Sequence, residues 1–258
     1  MPASVLYVYA ITRQPAKPHV EAVDQSDNFG SAKAGGLSAV FTPVSQEEFS
    51  QEAIDRRAGD LEWLGQIGYR HQAVIAHLMR DTAVIPLRAF TLFSGEEALT
   101  RYLADNAKQL GQVLERLDGK REWTLRIEFD PQRWHDALVS RVASLRELQQ
   151  QIDSAAPGKA FLLRKKLDEE VKRASRAAEQ EIVAEIEKAV LKKLACETVA
   201  ESREQREGAF PQINVLLNRD EEARVADVQR ELSDKYSGQG ITLALTGPWP
   251  PYTFTSMA

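Results

Sequence analysis

The chain has 258 residues, of which 43 % are apolar and 28 % charged, with a formal net charge of −5. That is enough apolar material for one large core or two ordinary ones, and the negative balance excludes a general nucleic-acid binder, which needs a basic face. One cysteine, Cys196, allows no internal disulfide and fits a reducing cytoplasm; no run approaches ~18 apolar residues, so no membrane-spanning helix is expected, and the opening MPASVLYVYAITRQP lacks the basic start and cleavage site of a signal peptide.

Ser4 to Thr12, rich in Val, Tyr and Ile, reads as a buried strand. Residues 13–36 carry prolines, Asp27-Asn28 and Gly35-Gly36 and read as loop, with room for a short strand around Val20 to Val23. Leu37 to Phe41 reads as a second strand, stopped by Pro43. Ser45 followed by Glu48 fits a capping box, so a helix starts near Gln46. A longer helix runs from Gly59 or Asp60 to about Arg80 on Leu61, Leu64, Ile67, Tyr69, Val74, Ile75 and Leu78, interrupted by Gly65 and Gly68. Ala83 to Phe93 reads as a strand in which Pro86 marks an edge or bulge. Ser94 then caps a helix from Gly95 to Leu117, ended by Asp118-Gly119.

Beyond this point the pattern restarts. Trp123, Leu125, Ile127 and Phe129 alternate with polar residues, which predicts a half-buried strand from Glu122 to Phe129. Asp130-Pro131 opens a helix in the preferred way. It carries Leu138, Val142, Leu145, Leu148 and Ile152 and breaks at Ala156-Pro157-Gly158. A longer helix follows from Lys159 to about Glu207, with a seam of Ala160, Leu163, Leu167, Val171, Ala174, Ala178, Ile182, Ile186 and Ala189. The mean spacing of ~3.6 predicts a nearly straight antiparallel hairpin. Its charges are nearly balanced and read as a solvated face. Ala209 to Leu217 is a strand, Asn218-Arg219-Asp220 caps a helix to about Tyr236, and Ile241 to Leu245 is the last strand. The predicted fold is α+β with two domains, residues 1–119 and 120–258, the second holding the helical hairpin (about 132–207) and a Pro/aromatic tail (247–258).

No phosphate loop, nucleophile elbow or HExxH occurs, and no cluster of Cys or His has metal-ligand spacing. His71 and His77 lie six apart on one helix and face different sides. Cys196 reads as a packed small side chain on a helix. Glu62, His71 and Arg88 supply the only acid-base set worth naming, and no spacing links them. Neither catalytic, cofactor-binding nor metal residues are therefore assigned.

The tail Gly247-Pro248-Trp249-Pro250-Pro251-Tyr252-Thr253-Phe254 is too proline-rich for a helix or central strand. Two readings stand. One is a clasp in which Trp249, Pro250, Pro251, Tyr252 and Phe254 pack on the body of the chain, with Trp249 and Tyr252 buried. The other is a partner-recognition segment.

Several pieces of the sequence occur together in one known family. LYVYAI (Leu6 to Ile11), GGLSAVFTPV (Gly35 to Val44), His71 with Val74 followed by TAVIPLR (Thr82 to Arg88), REWTLRIEFD (Arg121 to Asp130) and the GPWPPYTF tail stand here in the family's order. On these pieces the chain resembles the gas vesicle GvpL/GvpF family over nearly its whole length. After PLR the family usually reads Phe-Gly-Thr; here Ala89-Phe90-Thr91 stand there, which puts a glycine-dependent turn at that point in doubt. The resemblance implies two ferredoxin-like α+β domains, the second with a coiled-coil-like helical element. It implies no catalysis, no cofactor, and cytoplasmic action in gas vesicle assembly or nucleation. The implied partners are the small hydrophobic shell protein of the GvpA type and other accessory proteins, without nucleic acid or membrane. The alternative is a scaffold or minor shell-associated component acting by self-association or through other accessory proteins. For contact with a partner, Arg88 and the strand leading to it, Ile85 and Leu87, are the candidates.

Overall fold

The computed structural model describes residues 4–201 and 210–255. Its backbone divides into two units. One runs to Glu122 and resumes at Pro248; the other is Trp123–Gly247. The expected division left the whole tail with the second domain. The chain instead returns to the first unit at Pro248, because the tail's side chains find their partners there.

The first unit comprises β1 (Ser4–Thr12), β2 (Gly30–Ala34), β3 (Leu37–Ser45), α1 (Gln46–Phe49), α2 (Gln51–Arg57), α3 (Leu61–Leu78), β4 (Ile85–Pro86), β5 (Leu92–Phe93), α4 (Glu96–Asp105) and α5 (Ala107–Leu117). The sheet order is β2-β3-β1-β4, with β5 also paired to β1. Tyr7 to Ile11 are wholly buried. That is why β1 reads as a continuous apolar run instead of an alternating one. Tyr7 and Tyr9 pack with Ile67, Val74, Ile75 and Leu78 of α3. A bulge at Tyr9 shifts the register against β3, from Val8↔Phe41 to Ala10↔Val40.

Four local expectations change here. β2 forms where a loop was expected, because its backbone pairs with β3 from Gly30↔Phe41 to Ala34↔Leu37. Pro43 does not stop β3: β2 reaches only to Phe41, so beyond that point β3 has no neighbour on that side to need the missing N–H. The expected strand at 83–93 is two short pieces, β4 and β5, separated by a turn. The helix expected over 95–117 breaks at Asn106, and Gly95, not Ser94, sits at its start without a side-chain cap.

The second unit contains β6 (Lys120–Phe129), α6 (Pro131–Arg141), α7 (Ala143–Asp153), α8 (Pro157–Lys193), β7 (Cys196–Glu201), β8 (Gln212–Asn218), α9 (Glu222–Ser237) and β9 (Ile241–Trp249), with β6 and β9 carrying the chain in and out. The order β7-β8-β6-β9 is that of a ferredoxin-like βαββαβ sheet, with the helical hairpin in the first crossover. The first unit repeats this order, with residues 13–29 as loop where the first helix would stand.

α6 starts as expected: the Asp130 side chain accepts from the Arg133 N–H, and Pro131 takes the first turn. An extended Val142 divides the expected first arm into α6 and α7. α7 and α8 form the hairpin, and all nine predicted seam positions of α8 are buried or packed against the core of Leu145, Leu148 and Ile152. At 37 residues, α8 is about 55 Å long. It ends at Lys193 and not near Glu207. Residues 196–201 are a strand because they pair with β8 from Cys196↔Leu217 to Glu201↔Gln212, and this pairing overrides a helix-favouring composition. The remainder of the expected helix, and Ala209, lie outside the described residues. Among the described residues no helix is long and apolar enough to cross a membrane.

Candidate functional site

The inner face of α3 is Ile67, His71, Val74, Ile75 and Leu78, a helical stripe with one polar member. His71 is buried and joined on both ring nitrogens. Nε2 lies 3.0 Å from the Leu87 carbonyl oxygen, and Nδ1 lies 3.0 Å from the Tyr7 hydroxyl. A carbonyl only accepts, so Nε2 carries the proton, and Nδ1 accepts from the Tyr7 O–H. The Tyr7 oxygen in turn accepts from the Phe90 N–H at 3.1 Å. The Tyr252 hydroxyl sits 3.2 Å from the same Nε2. Tyr9 stacks on the imidazole, its hydroxyl donating to Thr42 Oγ1 at 3.2 Å and accepting from the Val23 N–H at 3.1 Å. Burial pushes His71 below the usual histidine value, against a smaller upward effect of the Leu87 hydrogen bond. Burial raises Tyr9 and Tyr252 to about 12, and Tyr7 further. This is a neutral, hydrogen-bonded hub tying β1, α3, the β4–β5 turn and the tail together.

The tail is fastened at three more points. Glu122, buried, accepts from the Thr253 Oγ1–H at 2.7 Å and from the Thr253 N–H at 3.2 Å. Arg116 donates to the Phe254 carbonyl at 3.4 Å and lies over its ring. Phe254 is fully buried, Pro250 and Pro251 are buried, and Tyr252 is half-buried in a short 3-10 turn with Phe254. Trp249 departs from the expectation: it is 44 % exposed. The reason is that β9 continues through Gly247 and Pro248 to Trp249 as an edge strand, where a missing N–H is tolerated. That places Trp249 at the rim and leaves Pro250 to Phe254 to enter the core.

The outer face of α3 has the opposite character. Leu61 and Tyr69 are 81 % and 78 % exposed, and Ala76 is also exposed. Gly65 and Gly68 lie on the same side with open space above them. Leu61, Gly65, Tyr69, Ala73 and Val20 line a cavity of about 620 Å³, whose rim carries Glu62 and the pair Arg70–Glu21 at 3.3 Å. The two glycines that interrupt the sequence pattern therefore flatten the stretch of this face between Leu61 and Tyr69, about 12 Å of helix, with Glu62 and Gln66 beside them.

The other sequence-derived candidates separate. Ile85 is buried, paired with Ile11 of β1, and has no surface to offer. Leu87 is half-buried, its N–H bonded to the Tyr9 carbonyl. Arg88 alone is exposed, at the start of the turn between β4 and β5. That turn closes with the Thr91 N–H on the Arg88 carbonyl at 3.2 Å, and Phe90 takes φ +64 at its third position. Such turns favour Gly there, so the turn in question is formed, with Phe90 in the place of a glycine. Glu62, His71 and Arg88 do not converge: Glu62 is on the exposed face of α3 and His71 on the buried one. Cys196 opens β7 instead of lying on a helix, and burial raises its thiol to about 11. Among the described residues no three His, Cys, Asp or Glu side chains come together as metal ligands. The sequence missed the tail–His71 link because Tyr252 and His71 are 181 positions apart.

Residues 5–256 match the family described as "Gas vesicle synthesis protein GvpL/GvpF". "Gas vesicle protein L" of Streptomyces sp. (strain CB03234) is 28 % identical, over 98 % of this chain and 93 % of that one. "Gas vesicle protein L2" of Halobacterium salinarum is 30 % identical, over 66 % of this chain and 63 % of its own. Among solved structures, gas vesicle protein GvpF from Anabaena sp. PCC7120 superposes with a TM-score of 0.74 over 99 % of both chains at 16 % identity. GvpF from Microcystis aeruginosa gives 0.66 over 98 % of this chain and 99 % of that one at 18 % identity. These two show the fold, two α+β units with antiparallel sheets and a long helix. The match along nearly the whole sequence settles the family, and the chain belongs to the GvpL/GvpF gas vesicle synthesis proteins.

Proposed function

We propose that this protein works without catalysis in gas vesicle assembly, by holding the small hydrophobic shell protein of the GvpA type on the outer face of α3. The observation that carries the reading is that face, with Leu61 and Tyr69 almost fully exposed around two open glycines. Large apolar side chains this exposed beside a shallow cavity, with polar residues Glu62 and Gln66 at its rim, mark an interaction site. A shell subunit that will line a water-excluding wall exposes apolar area before it assembles, and a helix laid along a flat apolar groove covers both. Arg88, exposed on the neighbouring turn, is proposed as a secondary contact.

The test is co-expression of the full chain with tagged shell protein. The full chain is required because a fragment ending at 119 lacks the tail that fastens the first unit. Leu61→Glu with Tyr69→Glu changes only exposed positions, so melting stays the same while shell protein is lost from the pull-down. Undiminished retention by this variant overturns the assignment. A second reading, self-association through the hairpin, rests on Phe161 and Leu162, which are 56 % and 67 % exposed near the start of α8. Light scattering of Phe161→Glu/Leu162→Glu tests it, and a mass equal to that of the native chain rejects it.

A further inference from the structure

We propose that the start of α8, in the second unit, is a docking surface for a short amphipathic helix of another protein, one with an apolar stripe and acidic flanks. The first turns of α8 are packed on one side only. Ala160 and Leu167 are buried and Leu163 packs against the hairpin core, whereas Phe161 and Leu162, on the outer side, are exposed. Four cations stand around this pair, Lys159, Arg164, Lys165 and Lys166, all exposed, and no carboxylate occurs from Pro157 to Leu167. Lys165 lies over the Phe161 ring, 4.9 Å from its centre. Among the described residues the other three cations have no hydrogen bond or ion pair. On a chain of net charge −5 this is a local field of the opposite sign.

The arrangement of these side chains selects the occupant. At about 100° of rotation per residue, Phe161 and Leu162 form a stripe with Lys165 between them. Arg164 falls beyond Phe161, and Lys159 with Lys166 falls beyond Leu162, so both edges are positive over about 11 Å of helix. The complement is a helix with a narrow apolar stripe edged by Asp or Glu, the logic by which flanking charges choose partners in coiled coils. A second copy of this chain, the occupant in the self-association reading, fits less well. A two-fold contact through Phe161 and Leu162 brings the four cations against their own copies. An anionic bilayer is also a poorer match: a flat surface reaches past the patch to Asp153, Asp168 and Glu169, which are exposed, and two apolar side chains are few for an interfacial helix. The patch shares no residue with the outer face of α3, so either assignment can fail without the other.

The experiment is selection of a phage-displayed random dodecapeptide library on the full chain, with the Phe161→Ser/Leu162→Ser chain as counter-target. The expected peptides bind the native chain only and combine Leu, Ile or Phe at helical spacing with Asp or Glu beside them. A synthetic copy of the commonest one, followed by fluorescence anisotropy, should bind about tenfold more weakly when its carboxylates become amides, and more weakly as salt is raised. It should lose as much on the Lys159→Gln/Lys165→Gln/Lys166→Gln chain. Both substituted chains should melt as the native one does, because every changed position is exposed. The proposal falls if no peptide distinguishes the native chain from Phe161→Ser/Leu162→Ser, or if the selected peptides lack acidic residues or bind undiminished as amides. It also falls if phosphatidylserine vesicles bind the native chain and not that variant, which would give the patch to a membrane. A dimer seen by light scattering and dissolved by the same variant would overturn it in favour of a second copy.

Discussion

Replacing His71 by Leu tests the hub directly. The change leaves the Tyr7 O–H, in the core, without its acceptor and the Leu87 carbonyl, part-buried, without its donor. Each orphaned group costs about 1–3 kcal/mol, so a loss of about 2–6 kcal/mol is expected. His71→Gln, which keeps one amide partner in reach, should cost less. The pH dependence is the sharper readout. Burial holds the folded-state pKa of His71 below its unfolded value. The unfolded chain then binds the extra proton, and the stability His71 supplies is fully present above about pH 6.5 and declines as pH falls below it, toward a limiting slope of about 1.4 kcal/mol per pH unit. Urea unfolding of the native chain and His71→Leu between pH 8 and pH 5 isolates this, because the other titrations cancel in the difference. The gap between the two should shrink as pH falls. A constant gap, or one that widens, would refute a neutral His71 donating from Nε2.

Three further outcomes follow from the tail, the turn and the hairpin. Phe254→Ala removes a fully buried ring and should cost about 3–5 kcal/mol by thermal unfolding, whereas Trp249→Ala should cost below about 1 kcal/mol; equal costs would contradict the seating described. At position 90 the backbone has φ +64, so Phe90→Gly should be more stable than Phe90→Ala by about 1 kcal/mol, the reverse of the usual order, and Ala at or above Gly would argue against that conformation. In the second unit the Trp134 indole N–H donates to Ser175 Oγ at 2.9 Å, and Ser175→Ala should cost about 1–3 kcal/mol in urea unfolding; an unchanged midpoint would show the bond to be dispensable.

How much could be read in advance depended on whether a residue's partner was near it in sequence. β6, the Asp130-Pro131 start of α6 and the seam of α8 each rest on a periodicity or a cap within one element, and each formed where predicted. β2 reads Gly-Ser-Ala-Lys-Ala and has no strand propensity of its own; only its ladder to β3 makes it a strand. β7 failed in the same way, hidden in a charged segment until β8 paired with it. At the site, the outer face of α3 was visible in Leu61, Gly65, Gly68 and Tyr69, but as a weakness in a helix, not as a surface. His71 was singled out without its partners, since Tyr7 lies 64 positions before it and Tyr252 far beyond.

The return of the chain at Pro248 sets an order in time. Glu122 meets Thr253 only 131 residues later, so at roughly 5–20 residues per second a nascent chain waits on the order of ten seconds before its first unit can be finished. Closing a free loop of that length would cost about 4 kcal/mol. Folding of the second unit removes most of that cost, because β6 and β9 are neighbours in its sheet and bring the outgoing and returning strands side by side. Completion of the first unit therefore reports that the second has already folded, and damage to the hairpin core should appear as a slow step in the maturation of a unit it does not belong to.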